Sequence, residues 1–405
     1  TAVVWESGDD TDDDGFPDSN TGLTDNLNTP NFGQETTPED ASLIHHLFEP
    51  ASGQNGSLSG GPFTNFSDGN RTQEISWNEV GIISLNSTLS DNEYIASGQN
   101  VIGFIEHVGR FIPDRFLISH NSPEFDDGCT GFTYMGQEFP VNSPNPTITV
   151  RPVNANNNKT DNYSSEFWKL SDDLIGRYYI NYSTSNATLQ LSHFGNTVNA
   201  SLNDFDGIGN FTIQNERLTY NKTATAEAPF EANATLRIPA SSVNDTDGVC
   251  YDPDTDNACD HYRIDSINGT QIRYGKVQLF PSYGSELIDL DMRFQTQYYN
   301  GTTSHFTQNL KDNCTQYHSA NMTCSDPDAS DALVCSDVTP STPYGNQVVR
   351  GQGTFSLSAP GKNNTGTLDW TLTLTPWLGN STAPATFGIY KGNEHIIYQQ
   401  ETTWK

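Results

Sequence analysis

Positive charge is scarce in this chain of 405 residues. Only 19 Lys and Arg stand against 50 Asp and Glu, which gives a formal net charge of −31. A surface this acidic repels phosphate backbones and anionic lipids, and we therefore do not expect nucleic acid to be a partner. No run of 18 or more apolar residues occurs, and we expect no membrane insertion. The chain begins at Thr1 without Met or a basic and apolar leader, as expected of a processed or trimmed product.

Signatures of catalysis are also lacking. The chain has no Gly-x-Ser-x-Gly elbow, no His-Glu-x-x-His, no glycine-rich phosphate loop and no Cys-x-x-Cys pair. Adjacent carboxylates such as Asp172 and Asp173 resemble the acid/base pair of a glycosidase, but 50 acidic residues produce such pairs by chance. We therefore expect a protein that is not an enzyme, with a secreted hydrolase as a minor alternative.

Helix-forming Ala, Leu, Glu, Lys and Met are sparse, whereas Thr, Asn, Ser, Gly, Tyr and Phe are abundant. This balance favours strands, and residues 367–374 alternate apolar and polar with a period of two. The predicted fold class is all-β: tandem antiparallel β-sandwich modules of immunoglobulin-like (Ig-like) type, with long loops and few short helices. Residues 37–47 and 164–174 are expected to be those helices. Strand-like runs lie at residues 80–85, 115–118, 147–150, 177–182, 187–191, 207–213, 234–238, 271–279, 354–357, 368–374 and 395–398.

Composition divides the chain into four predicted parts. Residues 1–36 join an apolar strand to an Asp-rich linker, 37–115 form a first β module, 116–240 an Ig-like β-sandwich and 241–405 a disulfide-containing β-sandwich. The apolar run contains Val3, Val4 and Trp5. Two interpretations stay open for it: the first strand of the chain's own sheet, or a self-assembly strand that adds to the open sheet edge of a neighbouring molecule.

Six cysteines and many Asn-x-Ser/Thr tripeptides indicate an extracellular or cell-surface location. Five of the cysteines lie within 86 residues of turn-rich sequence, which predicts local disulfides that close surface loops in an oxidising compartment. Cys250 and Cys259 are the best single pair, and the other two pairings stay open. The cysteines are Cys129, Cys250, Cys259, Cys314, Cys324 and Cys335.

There are 19 glycosylation tripeptides in the sequence, about twice the number that chance predicts for its Asn, Ser and Thr content. Either some of them carry glycans, or an Asn- and Thr-rich β protein collects them by accident. The glycosylation candidates are Asn65, Asn70, Asn86, Asn181, Asn199, Asn233, Asn268, Asn300 and Asn380.

Two Asp-rich loops predict structural calcium sites. Carboxylates at the first, third, fifth and ninth positions place hard oxygens on one loop, which suits Ca²⁺ at distances of about 2.3–2.6 Å. Thr21 stands where an EF-hand has its bidentate Glu, and the first loop more closely resembles the Asp-rich loops of thrombospondin type 3 repeats. The alternative is a solvated acidic turn without an ion. The predicted ligands are Asp10, Asp12, Asp14 and Asp18 in the first loop and Asp252, Asp254, Asp256 and Asp260 in the second.

Nine short phrases stand in collinear order over roughly residues 74–405, at 77–81, 108–116, 129 with 132–137, 245–250, 272–276, 284–287, 312–315, 357–361 and 385–393 with 396–398. Together they resemble the C-terminal domain of MshQ-like proteins. That family is linked to the mannose-sensitive haemagglutinin type IV pilus loci of Gram-negative bacteria, and this domain has no established activity. The resemblance implies surface location and adhesion or filament association rather than a reaction.

Together these patterns predict a non-enzymatic extracellular adhesin or filament-associated subunit, stabilised by calcium and disulfides. Its expected partners are other copies of itself or pilus and filament components. A glycan-binding module is the alternative, with surface sugars stacking on exposed aromatic side chains such as Trp377 or Tyr298 and Tyr299.

Overall fold

The computed structural model describes residues 1–14, 17–18, 21–199, 206–302 and 305–388. Across these residues the protein is all-β, with long loops and four single-turn 3₁₀ helices, so the predicted fold class is confirmed. None of these helices is long and apolar enough to cross a membrane. The 3₁₀ helices are Ser165–Phe167, Ala240–Ser242, Ser319–Asn321 and Cys335–Asp337.

The N-terminal module, residues 1–111, is built on an antiparallel sheet in the order β1-β4-β5 and a small β2-β3 pair. Two small apolar clusters cover parts of this sheet, one around Phe32 and Phe66 and one around Trp77 and Ile83. Its strands are β1 (Ala41–Glu49), β2 (Leu58–Ser59), β3 (Ser76–Trp77), β4 (Gly81–Leu89) and β5 (Ile102–Phe111).

The helix predicted at residues 37–47 is wrong, because β1 occupies Ala41–Glu49. The Pro38-Glu39-Asp40 start looks like a helix N-terminus, but the following residues pair along their length with β4, from Ala41 opposite Leu89 to Glu49 opposite Ile82. Ladder hydrogen bonds and burial against a neighbouring strand outweigh weak local helix signals. The second predicted helix, 164–174, shrinks to the single turn Ser165–Phe167, after which Trp168 is already extended.

The middle module, residues 115–273, packs four sheets around one large apolar core. The sheet orders are β12-β13-β9-β6, β10-β16-β17, β11-β14-β8 and β15-β18-β7, with β18 and β7 parallel. The strands are β6 (Arg115–His120), β7 (Thr133–Tyr134), β8 (Glu138–Pro140), β9 (Thr147–Val153), β10 (Tyr178–Asn181), β11 (Leu189–His193), β12 (Asn196–Asn199), β13 (Gly209–Gln214), β14 (Arg217–Tyr220), β15 (Phe230–Glu231), β16 (Ala234–Ile238), β17 (Tyr262–Ile267) and β18 (Gln271–Arg273).

The C-terminal module, residues 275–387, is a sandwich of two sheets, β19-β21-β25-β24 with β22 beside β21, and β20-β27-β26-β23. Both sheets contribute to one core, since Phe294 and Phe355 belong to the first and Leu368 and Trp370 to the second. The strands are β19 (Gly275–Leu279), β20 (Ser282–Gly284), β21 (Leu290–Tyr299), β22 (Phe306–Gln308), β23 (Met322–Ser325), β24 (Pro340–Ser341), β25 (Gln352–Leu357), β26 (Gly366–Thr373) and β27 (Asn380–Phe387).

Strand β26 shows the predicted alternation directly, because Leu368, Trp370 and Leu372 are buried while the residues between them are more exposed. The predicted run at 395–398 lies outside the described residues. The predicted domain boundaries stay a prediction, and one sheet bears on them: β17 pairs with β16, so a sheet of the middle module continues past residue 240.

Candidate functional site: the acidic loops and the junction between modules

The first acidic loop brings three of its four predicted ligands together. Carboxylate oxygens of Asp10, Asp12 and Asp18 all lie within 4.8 Å of one another. Asp10 is buried, and one of its oxygens accepts a hydrogen bond from the backbone N–H of Asp14 at 3.1 Å. The loop closes where the backbone N–H of Asp18 donates to the carbonyl of Asp9 at 2.6 Å. Asp14 lies outside the three-residue group, and the turn residue Gly15 lies outside the described residues.

Repulsion between these carboxylates raises the pKa of Asp12. The negative charge of Asp14 is the largest cause, followed by partial loss of hydration and by a hydrogen bond that protonated Asp12 donates to Asp10. A divalent cation would relieve this repulsion, and a cluster of hard carboxylate oxygens is the donor set that Ca²⁺ prefers. The residues present therefore fit calcium, and Asp10, Asp12 and Asp18 are the ones that would hold it.

The second acidic loop is closed by a disulfide between Cys250 and Cys259. Inside it, carboxylate oxygens of Asp252, Asp254 and Asp256 lie within 4.8 Å of one another, and Asp260 lies outside that group. Asp252 is buried and accepts backbone hydrogen bonds from Thr255 at 2.8 Å and Asn257 at 3.1 Å. Burial, and then the charge of Asp256, raise the pKa of Asp254.

Asp245 and Asp247, which precede this loop, have protein partners instead. Arg110, at the end of β5, forms an ion pair with Asp247 at 2.6 Å, and this contact lowers the pKa of Asp247. The hydroxyl of Tyr163 donates to Asp245 at 2.6 Å. The Asp247–Arg110 pair therefore attaches the N-terminal sheet to the middle module, a role that the sequence did not indicate, while the Asp245–Tyr163 bond lies within the middle module.

The disulfides show two ranges of crosslinking. Cys250–Cys259, the pair named from the sequence, and Cys324–Cys335 close loops with separations of 9 and 11 residues. Cys314 departs from the expected local pattern, because it is bonded to Cys129 across a separation of 185 residues. Cys129 precedes β7 while Cys314 belongs to the C-terminal module, so this bond joins two modules. Close approach in space rather than in sequence decides which cysteines pair.

Next to this disulfide lies a buried carboxylate, Asp312, that is fully shielded from solvent. It accepts hydrogen bonds from the hydroxyls of Tyr134 and Thr315, both at 2.8 Å, and from the backbone N–H groups of Thr315 and Cys314 at 3.0 and 3.2 Å. Burial, together with the charge of Asp312, raises the pKa of Tyr134 well above its usual value.

Tyr134 also packs at the junction between the middle and C-terminal modules. Although it lies on β7, it belongs to the core of the C-terminal module together with Cys129 and Phe132. Its ring fills the space above Gly275, where a Cβ would lie 2.5 Å from a Tyr134 ring carbon. The core of the C-terminal module is therefore completed by residues from the middle module.

Lys222 adds a second polar contact between the same modules. From the end of β14 its ammonium donates to the carbonyls of Gly275 at 2.7 Å and Trp377 at 2.6 Å, and it lies over the ring of Tyr274 at 4.6 Å. Partial burial lowers the pKa of Lys222. Trp377, a predicted sugar-stacking residue, is half-buried in this contact.

The other predicted aromatic and carboxylate candidates differ in their exposure to solvent. Tyr298 and Tyr299 are half-buried, with the guanidinium of Arg273 over Tyr298 at 4.5 Å and the ring of Phe306 against Tyr299 at 5.6 Å. Asp172 and Asp173 are both exposed.

With this geometry in place, three family models match the chain in order. The second, third and fourth domains of DUF6701 match residues 1–76, 79–266 and 273–402. The chain belongs to the DUF6701 family. The third-domain match ends at the end of β17, and the fourth-domain match starts just before β19.

Solved structures resemble the DUF6701 chain only distantly. FdeC, an Escherichia coli adhesin, is 12% identical with a TM-score of 0.29 and covers 85% of this chain and 84% of its own. The titin I-band fragment I67–I69 is 7% identical with a TM-score of 0.20, over 86% and 87% of the two chains. The mouse nectin-like molecule 4 ectodomain is 9% identical with a TM-score of 0.17, over 86% and 93%. The comparison with curated proteins found no match.

The glycosylation candidates of this DUF6701 chain differ in accessibility. Asn65, Asn70, Asn268 and Asn380 are exposed. Asn181 is engaged, because its side-chain amide donates to the carbonyls of Ser185 and Ala187 at 3.2 Å. The remaining four candidates are half-buried; they are Asn86, Asn199, Asn233 and Asn300.

The N-terminal run is bonded within its own chain. Val3 forms an isolated antiparallel bridge with Asn28, and the backbone N–H of Val4 donates to the carbonyl of Leu27 at 2.8 Å. Val4 and Trp5 remain exposed at 49% and 40%. Donation of this run to a neighbour would require these contacts to break.

Proposed function

We propose that this DUF6701 protein is a non-enzymatic extracellular protein, an adhesin or a filament- or pilus-associated structural subunit. The observation that carries the proposal is the set of three disulfides on tandem β modules, one of which joins two modules. Such crosslinks persist in oxidising compartments outside the cytosol. They fit a protein with a structural role, which keeps its fold and presents a surface.

The resemblance to MshQ-like proteins supports the finer assignment to a pilus locus, and three different DUF6701 domains in series fit a multidomain surface protein. Calcium is part of the proposal. Bound by Asp10, Asp12 and Asp18, and by Asp252, Asp254 and Asp256, it would neutralise crowded carboxylates and fix the two loops. Self-association and glycosylation at the exposed tripeptides belong to the same proposal.

Glycan binding is the second candidate, and one exposed pair favours it. Tyr344 is 66% exposed, and its hydroxyl donates to Asp291 at 3.0 Å. An aromatic face beside a carboxylate is a common way to stack and hydrogen-bond a sugar ring.

The test is adhesion of the purified chain to host cells and to a glycan array, with electron microscopy of the secreted material. We expect cell binding, or polymers in the micrographs. Discrete particles that bind neither cells nor glycans would contradict the proposal, as would turnover of a substrate. Saturable binding to one class of sugar, lost in Tyr344→Ala, would favour the glycan-binding alternative.

A further inference from the structure

Exposed apolar side chains are concentrated on the N-terminal sheet. Among the described residues, seven of the 23 exposed large apolar side chains lie on or beside its strands. The most exposed are Ile102 at 73%, Phe104 at 67% and Ile105 at 52%, all on β5. A concentration of apolar surface on a soluble molecule marks an interaction site. The seven are Ile44, Phe48, Val101, Ile102, Phe104, Ile105 and Ile112.

Strand β5 is an open sheet edge whose regular part is residues 102–105, because two bulges interrupt its pairing with β4 between Ile105 and Phe111. Among the described residues, β4 is the one strand that pairs with it, and eight of the ten β5 residues are exposed. This regular segment, with one open side, presents a row of backbone N–H and C=O groups that match another strand. Too little of β5 is covered on either face to shield these backbone groups from a second strand.

The charge of this sheet favours a second copy of the chain as the occupant. Its three strands carry Glu49, Glu106 and Arg110 as their charged residues, a net of −1, in a protein of net charge −31. Two copies of so acidic a chain repel each other over most of their surfaces, and this nearly neutral sheet is a region where they approach at little electrostatic cost. A basic partner, by contrast, would gain little here.

We propose that β5 pairs antiparallel with β5 of a second copy across a two-fold axis, so that two three-stranded sheets become one sheet of six strands. The same strand then faces itself, as a two-fold interface requires. An axis between Gly103 and Phe104 keeps the new pairs within the regular segment and sets Ile102 opposite the partner's Ile105. It also sets Phe104 opposite the partner's Gly103, where an aromatic ring covers bare backbone.

The edge is already positioned for this pairing. Arg110 holds the end of β5 to Asp247 of the middle module at 2.6 Å, and His107 packs edge-on against Phe48 of β1 with ring centres 4.4 Å apart. A strand fixed before association loses less conformational entropy when it pairs. This inference deepens the proposed structural role and rests on it for its purpose, but self-association is measured separately from adhesion.

The test is sedimentation velocity of the full chain over a concentration series, for wild type, Phe104→Lys and the control Ile175→Lys. Ile175, in the middle module, is 64% exposed and so matches Phe104 in accessibility. We expect a monomer–dimer equilibrium in wild type and in the control, and association weakened by at least about tenfold in Phe104→Lys, since each dimer would bury two added charges. Circular dichroism checks that all three chains fold.

Hydrogen exchange adds a readout of the backbone itself. Amides of residues 102–105 should exchange more slowly at high than at low protein concentration in wild type, and equally at both in Phe104→Lys. A wild-type chain that stays monomeric, a dimer that Phe104→Lys leaves intact, or a dimer without added protection of β5 would each overturn the proposal. A dimer that binds no cells or glycans would instead refute the proposed function and leave the β5 interface standing.

Discussion

The N-terminal module is stabilised differently from the pair formed by the middle and C-terminal modules. The pair has two large cores, and residues of β7 cross from one into the other beside Cys129–Cys314. The N-terminal module has two small clusters, an open sheet edge and no cysteine. Small cores supply less net stability, so we expect this module to be the less stable region of the described chain. The difference indicates that the middle and C-terminal modules are crosslinked into one unit, whereas the N-terminal module deforms more easily.

Removing Cys129–Cys314 should weaken the joined modules most. In the chain-entropy model a bond across 185 residues is worth about 5 kcal/mol, whereas one across 11 residues is worth about 3 kcal/mol. We therefore expect the Cys129→Ser and Cys314→Ser double variant to lose more stability than the matched Cys324→Ser and Cys335→Ser variant. Urea unfolding measures both. Equal losses would mean that the long crosslink does not hold the modules together.

Truncating one core side chain in each region sharpens the comparison. Phe294 is fully buried between Tyr317 and Phe355, and Phe294→Ala should cost about 3–5 kcal/mol. Phe66 lies in a cluster of four buried residues, and Phe66→Ala should cost less, because a small cluster near the surface relaxes more easily. Calorimetry should show that Phe66→Ala lowers an early, separate transition. A single transition shifted equally by both variants would show that the N-terminal module does not unfold separately from the rest of the chain.

Calcium should stabilise the N-terminal module more visibly than the second acidic loop, which its disulfide already restrains. At a free calcium concentration about 100 times the dissociation constant, binding would add about 2.7 kcal/mol. Chelation should therefore lower the first melting transition, and Asp10→Asn with Asp12→Asn should abolish the response. Asp172→Asn with Asp173→Asn, two exposed carboxylates outside both loops, is the matched control. If chelator does not change the midpoint of the first transition, the loop is a solvated turn without calcium.

The smallest effect concerns pH without calcium. The pKa of Asp12 is raised above 3.8, so the folded loop binds its proton more readily than the unfolded chain does. Its ionised form then destabilises the fold at neutral pH, and that penalty is relieved as the pH falls through the raised pKa. With chelator present, Asp12→Asn should melt slightly higher than wild type at pH 7, and the gap should close toward pH 4. With calcium present the order should reverse.

Local patterns predicted local features well. The alternation at residues 367–374 appears as β26, and the runs at 147–150 and 234–238 lie within β9 and β16. The helix predicted at 37–47 failed because β4, about 40 residues later in the chain, is the partner that makes this segment a strand. Spacing brought Asp252, Asp254 and Asp256 to one loop, since neighbours on a tight turn stay neighbours in space.

What the sequence by itself determined is therefore what nearby residues decide: β-structure, the acidic loops and the Cys250–Cys259 pair. Tertiary structure alone decided that Cys129 meets Cys314, that Asp312 is buried under Tyr134, and that β5 is left as an open edge. The physical reason is that these features join residues far apart in the chain. Their contacts depend on how whole sheets pack, and no short pattern of residues encodes that packing.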